Sequence, residues 1–349
     1  MRLLCCLAAL VVLALQHQCH GLLLPLTNTM LSSLRGANGT ATPVHHLLRA
    51  SSLRSAARHG RHRARRSPPS PPSPGRHRQL SLPLSPGSDY TLSLSVGPAS
   101  AAAPLSGRFS YCLVSHSFRA DRLIRPSPLI LGRSPDDDAD AAAAETDGFV
   151  YTPLLHNPKH PYFYSVALEA VSVGAARIQA RPELARVDRA GNGGMVVDSG
   201  TTFTMLPNEM YARVAEAFAR AMAAAGFARA ERAEEQTGLT PCYRYAASDR
   251  GVPPLALHFR GNATVALPRR NYFMGFKSEE AGAGTRKDDV GCLMLMNGGD
   301  ASGEEGDGPA GTLGNFQQQG FEVVYDVDAG RVGFARRRCT DLWDSLSRR

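Results

Sequence analysis

With 349 residues, 43% apolar and 7% aromatic, the chain can form one large domain or two ordinary ones, and it falls outside the disordered class. A formal charge of +8 spread over the molecule would point to nucleic acid or an anionic membrane. It is not spread: residues 1–88 hold 11 Arg and no Lys, Asp or Glu, leaving 28 basic and 31 acidic side chains, a net −3, in residues 89–349.

Taken in chain order, Arg2 and the 13-residue apolar run Leu3–Leu15 read as a secretory signal peptide over residues 1–21. The run is shorter than the roughly 20 residues that a membrane-crossing helix requires. No later stretch reaches about 18 uninterrupted apolar residues, so no membrane association is expected after the signal is removed. Residues 22–88 read as an Arg- and Pro-rich propeptide or linker, largely disordered. Nine Arg and five His crowd Val44–Arg78, and Ser67–Gly75 runs Ser-Pro-Pro-Ser-Pro-Pro-Ser-Pro-Gly, which favours an extended polyproline conformation and cannot build a core. The basic patch Arg61–Arg66 has a nucleic-acid-like composition. Behind a signal peptide it is better read as a solvated pro-segment, nicked near Arg65-Arg66. No nucleic-acid partner is expected.

Residues 89–106 begin with an alternating strand, Tyr90–Gly97, and continue into the low-complexity joint Pro98–Pro104. From 107 to 349, short strand-like pieces recur at Phe109–Val114, Leu129–Leu131, Tyr164–Val173, Thr264–Leu267, Cys292–Met296, Phe321–Val327 and Val332–Ala335. Asp328-Ala329-Gly330 joins the last two as a hairpin. One helix stands out after Pro207, where Met210, Val214, Phe218 and Met222 recur every fourth residue and Gly226 supplies a stop. Its stripe is core packing. Asp136–Glu145 and Gly298–Gly311 read as exposed loops.

Cys5, Cys6 and Cys19 leave with the signal. Cys112, Cys242, Cys292 and Cys339 remain, an even number that in a secreted chain suggests two disulfides among three connectivities. The sequons Asn38-Gly39-Thr40 and Asn262-Ala263-Thr264 fit the same compartment as glycosylation sites. The expected location is extracellular, in the apoplast, with the vacuole as the alternative.

The segment that can carry chemistry is Gly193–Thr202, in which an apolar strand delivers Asp198 into a turn of Ser199, Gly200 and Thr201. Hydroxyl and backbone N–H donors around such a carboxylate favour its ionised form. Gly200 permits close backbone approach, and Thr201 can donate to an outer carboxylate oxygen. Alone, the quartet reads more readily as a capped turn than as a catalytic motif. Other catalytic classes lack their marks. There is no Gly-x-Ser-x-Gly elbow, no His-Glu-x-x-His or Cys-x-x-Cys for a metal, and no phosphate-binding glycine loop. His116, His156, His160 and His258 read as surface or packed histidines, so neither a metal nor another cofactor is expected.

Met195–Thr204, together with Gly311-Thr312-Leu313-Gly314-Asn315-Phe316 further on, resembles the active-site strand and the crossing segment of a pepsin-like aspartic endopeptidase lobe. Arg108–Leu113, Leu129–Gly132, Tyr151–Leu155, Phe163–Val166, Leu313–Gln319 and Val324–Asp326 are similar to the plant, nepenthesin-like branch of that family. The resemblance runs from about Gly107 to Trp343. It implies a mostly β fold with a few short helices, a single C-terminal lobe over 107–349, and residues 89–106 as a remnant strand and joint of an N-terminal lobe. It further implies the pairings Cys112–Cys339 and Cys242–Cys292. Asp198 would be catalytic, with Ser199, Gly200, Thr201, Leu313 and Gly314 supporting its loop, water as nucleophile and a polypeptide as substrate.

The family uses two aspartates, because facing carboxyls share one proton and divide the acid and base roles. Asp198-Ser199-Gly200 is the one Asp-Ser/Thr-Gly triplet in the 349 residues. Cleavage by this chain alone would therefore require a homodimer that brings two copies of Asp198 together through the lobe interface. The alternative expectation is a truncated, catalytically inactive homologue that acts as a binding or inhibitor module.

Overall fold

A computed structural model describes residues 22–26, 44–64, 107–115, 126–132, 148–245, 250–279, 287–299 and 308–347. The expected signal peptide, Asn38, Arg65-Arg66, the Pro-rich run, the Tyr90–Gly97 strand with its joint, and the Asp136–Glu145 loop lie outside these residues.

Short β-branched and aromatic runs separated by Gly, Pro and Asp make strands, and eighteen are present among the described residues. They are β1 (Leu22–Leu26), β2 (Arg108–Cys112), β3 (Ser127–Leu131), β4 (Val150–Leu155), β5 (Ser165–Val166), β6 (Leu168–Val173), β7 (Ala176–Gln179), β8 (Met195–Val197) and β9 (Thr204–Leu206). The second half adds β10 (Cys242–Arg244), β11 (Leu255–Phe259), β12 (Ala263–Leu267), β13 (Phe273–Glu279), β14 (Lys287–Leu293), β15 (Leu295–Asn297), β16 (Gly311–Leu313), β17 (Phe321–Asp326) and β18 (Arg331–Arg336). Six helices accompany them: α1 (Val44–Ala64), α2 (Pro182–Ala185), α3 (Asn208–Ala224), α4 (Glu231–Thr237), α5 (Asn315–Gln318) and α6 (Cys339–Ser347).

Eleven strands form one sheet in the order β1-β3-β2-β17-β18-β4-β5-β8-β16-β9-β15; β12-β11-β6-β7 and β10-β14-β13 form two smaller sheets. The β17–β18 hairpin turns through Gly330, whose φ of 61° is the left-handed conformation that glycine adopts without cost. The stripe of α3 (Met210, Val214, Phe218 and Met222) is fully buried against the core, and the helix begins just after Pro207 and stops before Gly226. Cys112–Cys339 ties β2 to the start of α6, and Cys242–Cys292 bridges directly opposed residues of β10 and β14.

The structure departs from the expectation of a largely disordered 22–88 in two places. Leu22–Leu26 pairs antiparallel with β3 at the edge of the large sheet, where Pro25 is tolerated. More consequentially, Val44–Ala64 is a 21-residue helix, rich in the helix formers Ala, Leu and Arg, and it is docked onto the lobe. Its buried face is Leu48, Ser51, Ser52, Ser55 and His59. Small serines let the helix approach closely, and Ser52 Oγ finds partners in Leu48 O (2.9 Å) and Thr237 O (3.1 Å). Leu47 and Leu48 join an apolar cluster with Phe203, Met274, Phe276 and Phe316.

Candidate active site

Three consecutive buried residues, Met195, Val196 and Val197, place β8 between β5 and β16 in the large sheet. β16 runs parallel to β8, with Leu313 opposite Val197, and also touches β9. The chain leaves β8 at Asp198, whose N–H donates to Leu313 O at 3.0 Å. The following turn folds back on the side chain. Gly200 N–H donates to Asp198 Oδ1 at 2.8 Å, and Thr201 Oγ1 donates to Oδ2 at 2.7 Å. Thr201 is fully buried and Asp198 is 8% exposed, so these bonds form where water competes little.

The segment after β16 grips this turn from the other side. Asn315 N–H donates to Thr201 O (2.7 Å), Asn315 Nδ2 donates to Ser199 O (3.0 Å), and Phe316 N–H donates to Thr202 O (2.9 Å). Gly314 N–H meets Thr204 Oγ1 at 3.0 Å. A Cβ at Gly314 would stand 2.5 Å from Thr202 O and 2.5 Å from the Phe203 carbonyl carbon, so the crossing needs glycine there. Gln317 Oε1 accepts from Thr204 N–H and Oγ1, and its Nε2 donates to Asn271 O and Met294 O.

The fourth element is α1. Arg58 Nε lies 2.7 Å from Asp198 Oδ2 and Nη2 lies 3.0 Å from Oδ1, a two-pronged ion pair. Burial acts to lower the Arg58 pKa, but the hydrogen bonds and charge of Asp198 outweigh it, and the guanidinium is raised above its ordinary value. One residue on, His59 Nδ1 contacts Thr312 Oγ1 at 2.9 Å, and Ser55 Oγ accepts from Phe203 N–H at 3.1 Å. Gly200 makes room for the guanidinium: a Cβ there would sit 2.5 Å from Arg58 Nη2. Both carboxylate oxygens thus have two donors each.

The structure brings Asp198, Ser199, Gly200, Thr201, Leu313 and Gly314 together. Ser199 contributes through its carbonyl, and Leu313 through its carbonyl as well. Asn262, at φ 59° in the β11–β12 turn, is exposed. Sequence reasoning missed Arg58, Ser55, Asn315 and Gln317 as parts of the site. Arg58 was one arginine among many in a basic run, and the polar stretch Asn315–Gln319 carries no apolar period that marks a side-chain partner. Among the described residues no group of His, Cys, Asp and Glu is arranged to hold a metal ion, and no helix is long and apolar enough to cross a membrane.

Residues 163–336 match the family model described as the xylanase inhibitor C-terminal domain. The chain is 51% identical to a probable aspartyl protease of Arabidopsis thaliana, over 73% of this chain and 53% of that protein. It is 28% identical to the aspartic proteinase nepenthesin-2 of Nepenthes gracilis, over 71% and 49%. It therefore spans about half the length of the curated relatives it matches. Among solved structures, edgp aligns with a TM-score of 0.51 at 20% identity, covering 67% of this chain and 55% of that one, a likeness of fold. Conglutin gamma, a basic 7S globulin from lupine seeds, aligns at 0.50 and 18%, covering 69% and 56%. The chain carries the C-terminal lobe of the plant, nepenthesin-like branch of the pepsin-like aspartic endopeptidase family.

Proposed function

We propose that this chain supplies one half of an aspartic endopeptidase centre, with Asp198 as one of two carboxyls that share a proton. The observation that carries the reading is the carboxylate itself: it ends a buried strand and is held by Gly200 N–H and Thr201 Oγ1. Hydrolysis by this route needs one carboxylate to take a proton from the attacking water. It also needs one carboxylic acid to polarise the peptide carbonyl and later protonate the leaving nitrogen. Asp198 fills one role at a time, so the second acid comes from an opposing lobe or a second copy of this chain. Water is the nucleophile, a polypeptide the substrate, and no cofactor takes part. With α1 seated, Arg58 occupies both oxygens that water or a facing carboxyl would use, so this arrangement is the silent form. The two disulfides and the exposed Asn262 sequon support a secretory route with glycosylation.

A second reading is a binding or inhibitor module without catalysis. It is favoured by the ion pair at Asp198 and by the inhibitor named in the matching family description. Cleavage of a denatured protein at roughly pH 3–5, where one of two facing carboxyls keeps its proton, separates the two. Native mass is measured alongside, for the wild type and Asp198→Asn. Acid-dependent cleavage lost in Asp198→Asn supports the protease. Equal background cleavage by both variants of a monomeric protein overturns catalysis by this chain alone and favours the binding module.

A further inference from the structure

We propose that Gln318, together with the buried phenols Tyr111 and Tyr325, positions Asp198 through the carbonyl of Leu313; the proposal rests on the protease reading of that aspartate. The hydrogen inventory fixes the direction of the relay. Gln318 Oε1 only accepts, so the Tyr111 hydroxyl hydrogen is committed to it. In the 3.0 Å contact between the two hydroxyls, Tyr325 must then be the donor, and Val197 O at 3.4 Å is its weaker alternative. Gln318 Nε2 donates to Leu313 O at 2.8 Å, the same oxygen that receives Asp198 N–H at 3.0 Å. Donation therefore runs Tyr325 to Tyr111 to Gln318 to Leu313 O, and each bond polarises the next.

Every member is sealed from water: Gln318 is 1% exposed, Tyr325 2%, Leu313 3% and Tyr111 6%. Burial raises the pKa of both phenols, and the negative charge of Asp198 contributes in the same direction at each. They remain hydrogen donors throughout the range in which a carboxyl titrates. Rotating the Gln318 amide would set its oxygen against the Leu313 carbonyl, so the orientation is enforced. If the amide is lost, the Leu313 carbonyl is released on one side. The backbone of Asp198 then shifts relative to Gly200 N–H and Thr201 Oγ1, which must meet its oxygens within 2.8 Å and 2.7 Å. Polar core packing alone predicts lower stability without any change at the carboxyl.

The test follows the Asp198 carboxyl carbon by NMR in the full chain labelled at aspartate, with the resonance assigned by its loss in Asp198→Asn. Arg58 faces the carboxylate equally in each protein. Gln318→Met keeps the volume and removes the amide; Tyr111→Phe removes only a hydroxyl and remains decisive if the first variant does not fold. Tyr164→Phe is the control, because its ring lies 4.7 Å from that of Tyr325 while its hydroxyl is outside the relay. The titration midpoint of Asp198 is expected to rise by about 0.5 unit, roughly threefold in the ionisation constant, in Gln318→Met and Tyr111→Phe, with Tyr164→Phe unmoved. A rise below about 0.2 unit in the folded relay variants, or an equal rise in Tyr164→Phe, overturns the proposal, since one unit marks a tenfold change. Acid cleavage assayed in parallel keeps the two questions apart. A chain that does not cleave refutes catalysis by this chain alone while the midpoints still decide the relay, and a cleaving chain with unmoved midpoints refutes the relay alone.

Discussion

Replacing Arg58 with alanine removes the guanidinium that is paired with Asp198. Two charge-assisted bonds are lost, at 2.7 and 3.0 Å, each of a kind that contributes about 1.5–3 kcal/mol. Two facts pull the net figure down. The Arg58 side chain is 26% exposed, so solvent screens the pair, and Asp198 keeps Gly200 N–H and Thr201 Oγ1 as partners. A docking loss of about 2 kcal/mol results, close to 30-fold in the equilibrium between seated and released α1. Amide exchange across residues 48–60 reads that equilibrium and is expected to accelerate by this factor. Asp198→Asn should produce a similar loss, and the double variant little more than either, because they share one interaction.

The pH dependence has a definite sign. A cation with a raised pKa contributes fully below its ordinary value and loses that contribution only at higher pH, so acid does not discharge Arg58. Acid acts through the carboxylate, whose pairing with the guanidinium is lost once the carboxyl is protonated. In the wild type α1 should loosen in acid; in Asp198→Asn that dependence should vanish. Exchange in Arg58→Ala within twofold of the wild type would refute the reasoning and assign docking to Leu47, Leu48 and the serine contacts.

Two further outcomes follow from the same geometry. Gly314→Ala forces a methyl against the backbone of Thr202 and Phe203, which cannot rotate away; a loss of about 3 kcal/mol and a Tm lower by roughly 6–12 °C are expected, and an unchanged melting curve refutes the close approach. Burial raises Tyr111, Tyr211 and Tyr325, so their stabilisation is complete below the unfolded value of about 10 and declines as pH rises beyond it, by about 1.4 kcal/mol per unit for each phenol. Urea midpoints measured above pH 10 should fall steeply in the wild type and less so in Tyr325→Phe; parallel slopes refute the assignment.

What was legible in the sequence was local. The run Met195-Val196-Val197 announces a buried strand, Asp198 to Thr201 announce a turn rich in donors, and the four-residue spacing of Met210, Val214, Phe218 and Met222 announces one apolar helix face. Each signal is complete within a few residues. Helix α1 gave no such signal, because its buried face is mostly serine and histidine, residue types that ordinarily face water. Their burial becomes affordable only when Leu48 O, Thr237 O, Phe203 N–H and Thr312 Oγ1 are supplied as partners. Gln318 was hidden for the same reason, since its amide oxygen serves a phenol 207 residues away.

The lone carboxylate connects these observations. An acid at the end of a buried strand is stabilised by hydrogen-bond donors and by another charge or a shared proton, since desolvation otherwise penalises its ionised form. A facing acid would answer it through the proton; in this structure Arg58, 140 residues upstream, answers it with a cation. Both answers need the same two oxygens, and a guanidinium at 2.7 and 3.0 Å leaves no room for a second carboxyl at hydrogen-bond distance. The seated helix also covers Phe203 and Phe316, the apolar surface beside the aspartate. On the protease reading, masking and pairing are therefore alternative states of one face, and the free energy that seats α1 is the free energy a partner lobe or second copy would have to exceed to assemble a working pair.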